Sequence, residues 1–282
     1  MVTPWLKRQL RDWCPPIVAR WLRPVPLSQR PQQHVWFRGE YLNWNDAVVA
    51  SSGYDSAVIL DKVLAATLKV KSGDAVYERD SVIFDQVQYT WPVLAALMWV
   101  ASQNNSSLRV LDFGGALGSS YFENLAFTRN LAELKWGVVE QPSFVAAGCR
   151  DIADKQLCFF DNIQSCVESF DPNCVLMSNV LQYVADYNVI LQELLELKTQ
   201  LIVVDRTIVN KSSSDRVYVQ DVPPEIYSAS YPVRSLSESR LLRKFEENGY
   251  QRAAEFKSLH FPGLVSIDSE FKGYLWWRAN KV

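Results

Sequence analysis

Several things are scarce or missing in this chain, and each absence narrows the reading. It contains no apolar run of the roughly 18 residues that a membrane-spanning helix needs. Its N-terminus also lacks the apolar core of a signal peptide, so it reads as neither secreted nor membrane-spanning. The five cysteines (Cys14, Cys149, Cys158, Cys166, Cys174) are odd in number and form no CxxC pair, so neither a disulfide framework nor a zinc knuckle is indicated. A reducing, cytoplasmic setting follows. No basic surplus exists: 29 Lys and Arg stand against 31 Asp and Glu, for a net charge of −2. That balance excludes a general nucleic-acid binder. The acids are dispersed and no ligand cluster forms, so no metal is implied. Histidine is limited to two residues, His34 and His260, the side chains that ordinarily titrate near neutrality.

What is present describes a globular chain. Hydrophobic residues make up 48% and charged residues 21% of 282 positions, enough for one large domain or one domain with a substantial N-terminal addition. Residues 1–26 differ from the rest. There Trp5, Trp13, Trp21 and several aliphatics alternate with Lys7, Arg8, Arg11, Arg20 and Arg23 against the single acid Asp12. Such a basic amphipathic arm suits a peripheral contact with the inner face of a membrane, or packing on its own domain or a second subunit. Pro15 and Pro16 break it into two short helices. Residues 27–107 read as a mostly helical lobe. Helices are expected at 45–50, after a cap at Asp55, and from Thr90 to Gln103.

Everything after residue 107 is organised around Leu108 to Ser120. Leu108 to Phe113 is a short apolar run suited to a buried strand, and Gly114, Gly115 and Gly118 follow within five residues. Ser119 and Ser120 are candidate caps for a helix whose free N–H groups favour an anionic group. A dinucleotide fingerprint G-x-G-x-x-G fails here, because Ala116 and Ser119 occupy its second and third glycine positions. Beyond the turn, strands and helices alternate, the pattern of a mostly parallel sheet covered on both faces. The second strand ends at Glu140, the third at Asp161, the fourth at Ser178-Asn179, and the fifth, Leu201 to Val204, at Asp205. An acid after the second strand is placed to bind the ribose of an adenosine-containing cofactor. Ser235-Leu236-Ser237-Glu238 reads as a capping box, and two strands, 253–261 and 273–278, close the sheet.

Taken together, Asp112 with Gly114 and Gly118, Glu140, Asp161 and Ser178 to Tyr183 resemble the class I S-adenosylmethionine (SAM)-dependent methyltransferases. More narrowly, Gly53-Tyr54-Asp55, Arg79-Asp80-Ser81, Leu111 to Gly115, Trp136, Val139-Glu140-Gln141, Asp205-Arg206-Thr207 and Tyr231-Pro232 resemble a family of bacterial methyltransferases associated with surface-polysaccharide gene clusters. The resemblance implies a Rossmann-like, seven-stranded, mostly parallel sheet in residues 108–282 and SAM as cofactor. It places Asp112 and the backbone of Gly114, Gly115 and Gly118 at the amino-acid end of SAM, Glu140 at the ribose and Asp161 at the adenine. Ser178 and Asn179 would line the cofactor from the fourth strand.

The chemistry then needs an aligned acceptor and, for a hydroxyl, a base. His260 and Asp205 are the candidates at the carboxyl ends of strands, with a structural pair between Asp205 and Arg206 as the competing role for the aspartate. Residues 207–232 read as a long polar and aromatic loop beside that crevice, suited to a saccharide. The leading expectation is O-methylation of a saccharide or a lipid-linked glycan precursor. A non-catalytic Rossmann-like binding module and a nicotinamide-dependent oxidoreductase are the alternatives. Acceptor atom and oligomeric state stay open.

Overall fold

The computed structural model describes residues 37–52, 56–79, 81–222, 229–258 and 269–278. The arm at 1–26, His34, Gly53 to Asp55, Asp80, Tyr227 and His260 lie outside the described residues. From residue 35 onward the chain is one compact unit.

The region before the glycine turn holds β1 (Phe37–Tyr41), α1 (Trp44–Ala50), α2 (Ser56–Ser72), the hairpin β2 (Tyr77–Arg79) and β3 (Val82–Phe84), and α3 (Trp91–Gln103). Helices predominate, as the sequence suggests, but three short strands accompany them. Asn43 caps α1 by accepting the Asp46 N–H, and Pro92 sits in the first turn of α3, where its missing donor costs nothing.

The alternating part follows as β4 (Ser107–Phe113), α4 (Ser119–Thr128), β5 (Glu133–Val139), α5 (Pro142–Ala147), β6 (Leu157–Phe160), α6 (Ile163–Phe170), β7 (Cys174–Ser178), α7 (Tyr187–Glu196) and β8 (Leu201–Asn210). These five strands are parallel in the order β6-β5-β4-β7-β8. Each is buried on both faces, so successive residues enter opposite cores. Leu108 and Val110 of β4 pack with α2, α3 and Trp136, whereas Leu111 packs with Cys166 of α6 and Leu191 of α7. The sheet is therefore Rossmann-like, with its order reversing between β4 and β7. That reversal opens a crevice at the strands' carboxyl ends.

The C-terminal part contributes β9 (Arg216–Asp221), β10 (Ser230–Ser237), α8 (Glu238–Glu247), β11 (Gln251–Lys257) and β12 (Ser269–Trp277). β12 runs antiparallel to β8 and carries β11, which completes the seven expected strands. Three more join them: β10 pairs with the end of β8, β9 with β10, and β1 with β9, giving ten strands in one sheet.

Several expectations need correction here. Of the described residues in the stretch 207–232, most are strand rather than loop, because β8 continues six residues past Val204 and β9 and β10 pair beside it. Ser235 belongs to β10 rather than to a capping box. The helix cap is Ser237, without a side-chain bond, and Glu238 instead accepts from Lys272 Nζ at 2.8 Å and Tyr274 Oη at 2.7 Å. Among the described residues no helix is long and apolar enough to cross a membrane.

Candidate active site

The turn after β4 is built so that backbone, not side chain, faces the crevice. Gly114 and Gly118 have φ of +71° and +92°, and Ala116 shares the left-handed region at +50°. A Cβ on Gly114 would overlap Val180, and one on Gly115 would lie 2.5 Å from Asp112 Oδ2. Gly118 caps α4 without a side-chain bond, and Ser119 gives its hydroxyl to the buried Glu78 rather than to the helix N-terminus. The serine caps expected at this helix are therefore absent.

Beyond the turn, the ends of β5, β6 and β7 bring Glu140, Asp161 and Asn179 to the same crevice. Glu140 is half-buried; one of its oxygens accepts the Gln141 N–H at 2.7 Å, and desolvation raises its pKa above the usual carboxylate value. Asp161 is exposed and accepts from Asn162 Nδ2 at 2.7 Å. Asn179, with φ of +58°, accepts from Gln182 Nε2 at 2.8 Å. Together with Gly114 and Ala116 these residues line a cavity of about 1050 Å³. Phe113, Val139, Pro142 and Phe144 give that wall its apolar surface.

Further lining comes from the added strands and the N-terminal region. Tyr183, which donates to Gln220 Oε1 at 2.9 Å, stands edge-on to Tyr231 with ring centroids 5.5 Å apart. Trp44 of α1, Arg79 of β2 and Phe84 of β3 complete it.

A scan against protein-family models finds no match, and a search of curated proteins finds none either. Solved structures that match include methyltransferases. The glycopeptide N-methyltransferase MtfA complexed with SAM is 11% identical, over 66% of this chain and 93% of its own, with a TM-score of 0.45. Magnesium protoporphyrin IX methyltransferase from Synechocystis PCC 6803, with S-adenosylhomocysteine (SAH) bound, is 14% identical over 78% and 100%, with a TM-score of 0.45. The N-terminal domain of EvdMO1 with SAH bound is 16% identical over 68% and 82%, with a TM-score of 0.44.

Not every residue expected at the site reaches the cavity. Asp112 is buried behind the turn, where Oδ2 accepts the Trp136 indole N–H at 3.0 Å. Gly115 and Gly118 shape the turn without lining the cavity wall. Ser178 is turned away as well, donating to Asp205 Oδ2 at 3.1 Å and accepting from Arg206 Nη2 at 3.0 Å. Asp205 is corrected most. It is 2% exposed, Oδ1 accepts the Ser258 hydroxyl at 2.8 Å, and Arg206 Nε lies 3.6 Å from Oδ2. Both oxygens are committed and neither faces the cavity, so this carboxylate ties β8 to β7 rather than acting as a base. Trp44 and Gln220 had no signal in the sequence, and Arg79 and Tyr183 entered only through the family resemblance, without a role. They arrive through pairings remote along the chain.

Proposed function

We propose that the chain is a SAM-dependent methyltransferase and that its acceptor is the hydroxyl of a saccharide, held on a lipid-linked glycan precursor. One observation carries this reading: the glycine turn, Glu140, Asp161 and Asn179 meet in a single cavity at the point where the sheet order reverses. The residues fit the cofactor's chemistry. Glu140 retains acceptor capacity at the end of β5 for ribose hydroxyls, and Asp161 is an exposed acceptor for an exocyclic amine. The apolar side chains between them suit an aromatic base, and the free N–H groups at the start of α4 suit a carboxylate. When bound, SAM supplies a methyl group already activated on a sulfonium.

The protein's own part is then alignment and removal of water. Tyr183, Tyr231 and Trp44 present aromatic surface to sugar C–H faces, while Gln220 and Gln88 add amide groups at the same wall. With Asp205 committed elsewhere, His260 is left as the proposed base. Residues 1–26 belong to the same proposal as a peripheral membrane contact that brings the site to a lipid-linked acceptor. Sedimentation with anionic liposomes checks that part: equal sedimentation of the full chain and a variant lacking residues 2–26 rejects it.

Calorimetric titration with SAM tests the core of the proposal. Glu140→Ala is expected to weaken binding by about 1 to 3 kcal/mol, since the ribose hydroxyls lose their acceptor. A parent that does not bind SAM rejects the reading, and an unchanged dissociation constant in the variant removes Glu140 from the site.

A further inference from the structure

Gln220 is a buried amide in the lining of the cavity. It is 4% exposed and lies on the face of β9 that also carries Tyr218, which packs with Phe37 and Ile208 in an apolar cluster. Tyr231, its register partner on β10, points to the same face and lines the cavity with it. The two ends of the carboxamide are treated differently. Oε1 accepts the Tyr183 hydroxyl at 2.9 Å, and the Tyr183 ring is itself packed edge-on with Tyr231. Nε2 bonds to no described residue, yet it is not among the side-chain atoms sealed from solvent without a partner, so it keeps contact with the cavity. An amide donor set among apolar side chains costs free energy unless a partner meets it. Here that partner comes from within the cavity.

Sheet order separates this amide from the residues given to the cofactor. The glycine turn, Glu140 and Asp161 follow β4, β5 and β6, whereas Gln220 is on β9, with β7, β8 and β10 between it and β4. Charge divides in the same way. The charged residues among the described lining, Arg79, Glu140 and Asp161, come from β2 and from the ends of β5 and β6; β9 and β10 supply none. Arg234 of β10 is not part of the lining, its guanidinium being bonded to the Val184 and Ala185 carbonyls at 2.9 and 3.0 Å. Tyr183, Val222, Tyr231 and Pro232, which line the cavity together with Gln220, are all uncharged.

The geometry points to Gln220 as the residue that selects the acceptor, its Nε2 donating a hydrogen bond to a hydroxyl oxygen of a neutral saccharide ring. This deepens the proposed function and rests on it for the role of the second ligand. A sugar ring offers C–H faces to the aromatic surface and oxygens to a fixed donor. A carboxylate or phosphate on the ring would meet no countercharge on this part of the lining, and its desolvation would go uncompensated. Because Tyr183 holds the oxygen end, the amide presents its donor end to the ligand.

The test uses the full chain saturated with SAH. Saturation-transfer NMR titrations follow the methyl glycosides of glucose, galactose, mannose and N-acetylglucosamine, glucuronate, and singly deoxygenated forms of whichever neutral glycoside binds. Parent, Gln220→Leu and Tyr183→Phe proteins are measured, with SAH affinity read by calorimetry. The parent is expected to bind a neutral glycoside several-fold more tightly than glucuronate, and to lose about 10-fold in affinity when one particular hydroxyl is removed. Gln220→Leu is expected to lose about the same 10-fold on the complete sugar and nothing further on that deoxy form, with SAH affinity unchanged. A merely structural role would weaken both sugars alike and leave the hydroxyl discrimination in place. Tyr183→Phe, which frees the amide to turn, is expected to keep part of the discrimination. The proposal is overturned by a parent that binds none of the neutral glycosides at millimolar concentration, one that prefers glucuronate or is indifferent to every hydroxyl, or a Gln220→Leu protein that discriminates as the parent does. If Gln220→Leu does not fold, undiminished discrimination in Tyr183→Phe overturns it instead. Failure of SAH to bind beside intact discrimination removes the methyltransferase reading and leaves the saccharide site. SAH binding without discrimination removes the saccharide site alone.

Discussion

Asp112, expected from the sequence at the amino-acid end of the cofactor, is buried behind the glycine turn, and its burial governs its ionisation. Trp136 and Arg206 favour its charged form, yet burial outweighs both and pushes its pKa from an ordinary 3.8 to about 7. Oδ1 is buried without a hydrogen-bond partner among the described residues. Because the folded-state pKa is raised, the protonated form is the one the fold prefers. Its contribution is fully present below pH 4 and is lost as pH rises through about 7, with a ceiling of roughly 4 kcal/mol. Asp112→Asn keeps an acceptor for Trp136 and cannot ionise. Urea unfolding at pH 5 and pH 8 should therefore show a smaller loss of stability with rising pH in the variant than in the parent. Identical losses would mean that ionised Asp112 is solvated in the fold. Glu140, also raised by burial, should lose its acceptor role on acidification earlier than an exposed carboxylate would.

The glycine turn links local geometry to the site. Gly114 combines a positive φ with the Val180 side chain lying where a Cβ would go. Gly114→Ala is expected to cost about 1 to 3 kcal/mol of stability and to weaken SAM binding, as read by thermal unfolding and titration. Adding Val180→Ala should relieve the overlap and recover part of the loss. No change in the single variant would show that the turn shifts freely. This turn and the five parallel strands were legible in the sequence because each strand is an apolar run closed by glycine, proline or an acid. The same logic placed Glu140, Asp161 and Asn179, since doubly wound sheets bind ligands at carboxyl ends. β9, β10 and the end of β8 were less legible, for buried polar residues such as Asn210, Gln220, Ser230 and Ser235 are interspersed with their buried apolar ones. Asn210 Nδ2 donates to the Ser235 carbonyl at 2.8 Å, the Ser235 and Ser269 hydroxyls are 2.9 Å apart, and Gln220 is satisfied by Tyr183. Each residue reads as loop until its remote partner is known. Arg79 stood out only as part of the family resemblance, and its position was not legible because it is set by Tyr77 and, through Tyr77, by Glu123, 46 residues on.

At the scale of the whole molecule, the region before β4 and the parallel sheet share one core. Ile59 and Val63 of α2 and Leu97 and Val100 of α3 belong to the same buried cluster as Val110, Trp136 and Leu176, and β1 is hydrogen-bonded into the ten-stranded sheet through β9. The cavity is itself shared, with Trp44, Ile59 and Arg79 lining it together with Glu140 and Asp161. A fragment of residues 108–282 would expose the apolar face of β4 and half of the site, so it should not fold alone. The described part of the chain should instead unfold in one transition, with far-UV and near-UV signals superimposing. A ligand that binds only the folded state stabilises it by about 2.7 kcal/mol at 100 times its dissociation constant. SAH at that excess should therefore shift the whole transition by roughly 5 to 10 °C for a unit of this size. A shift confined to part of the signal, or two transitions of which one ignores SAH, would show that the two walls of the cavity belong to bodies that fold apart. The acceptor wall would then lack the rigidity to align a second ligand against the first.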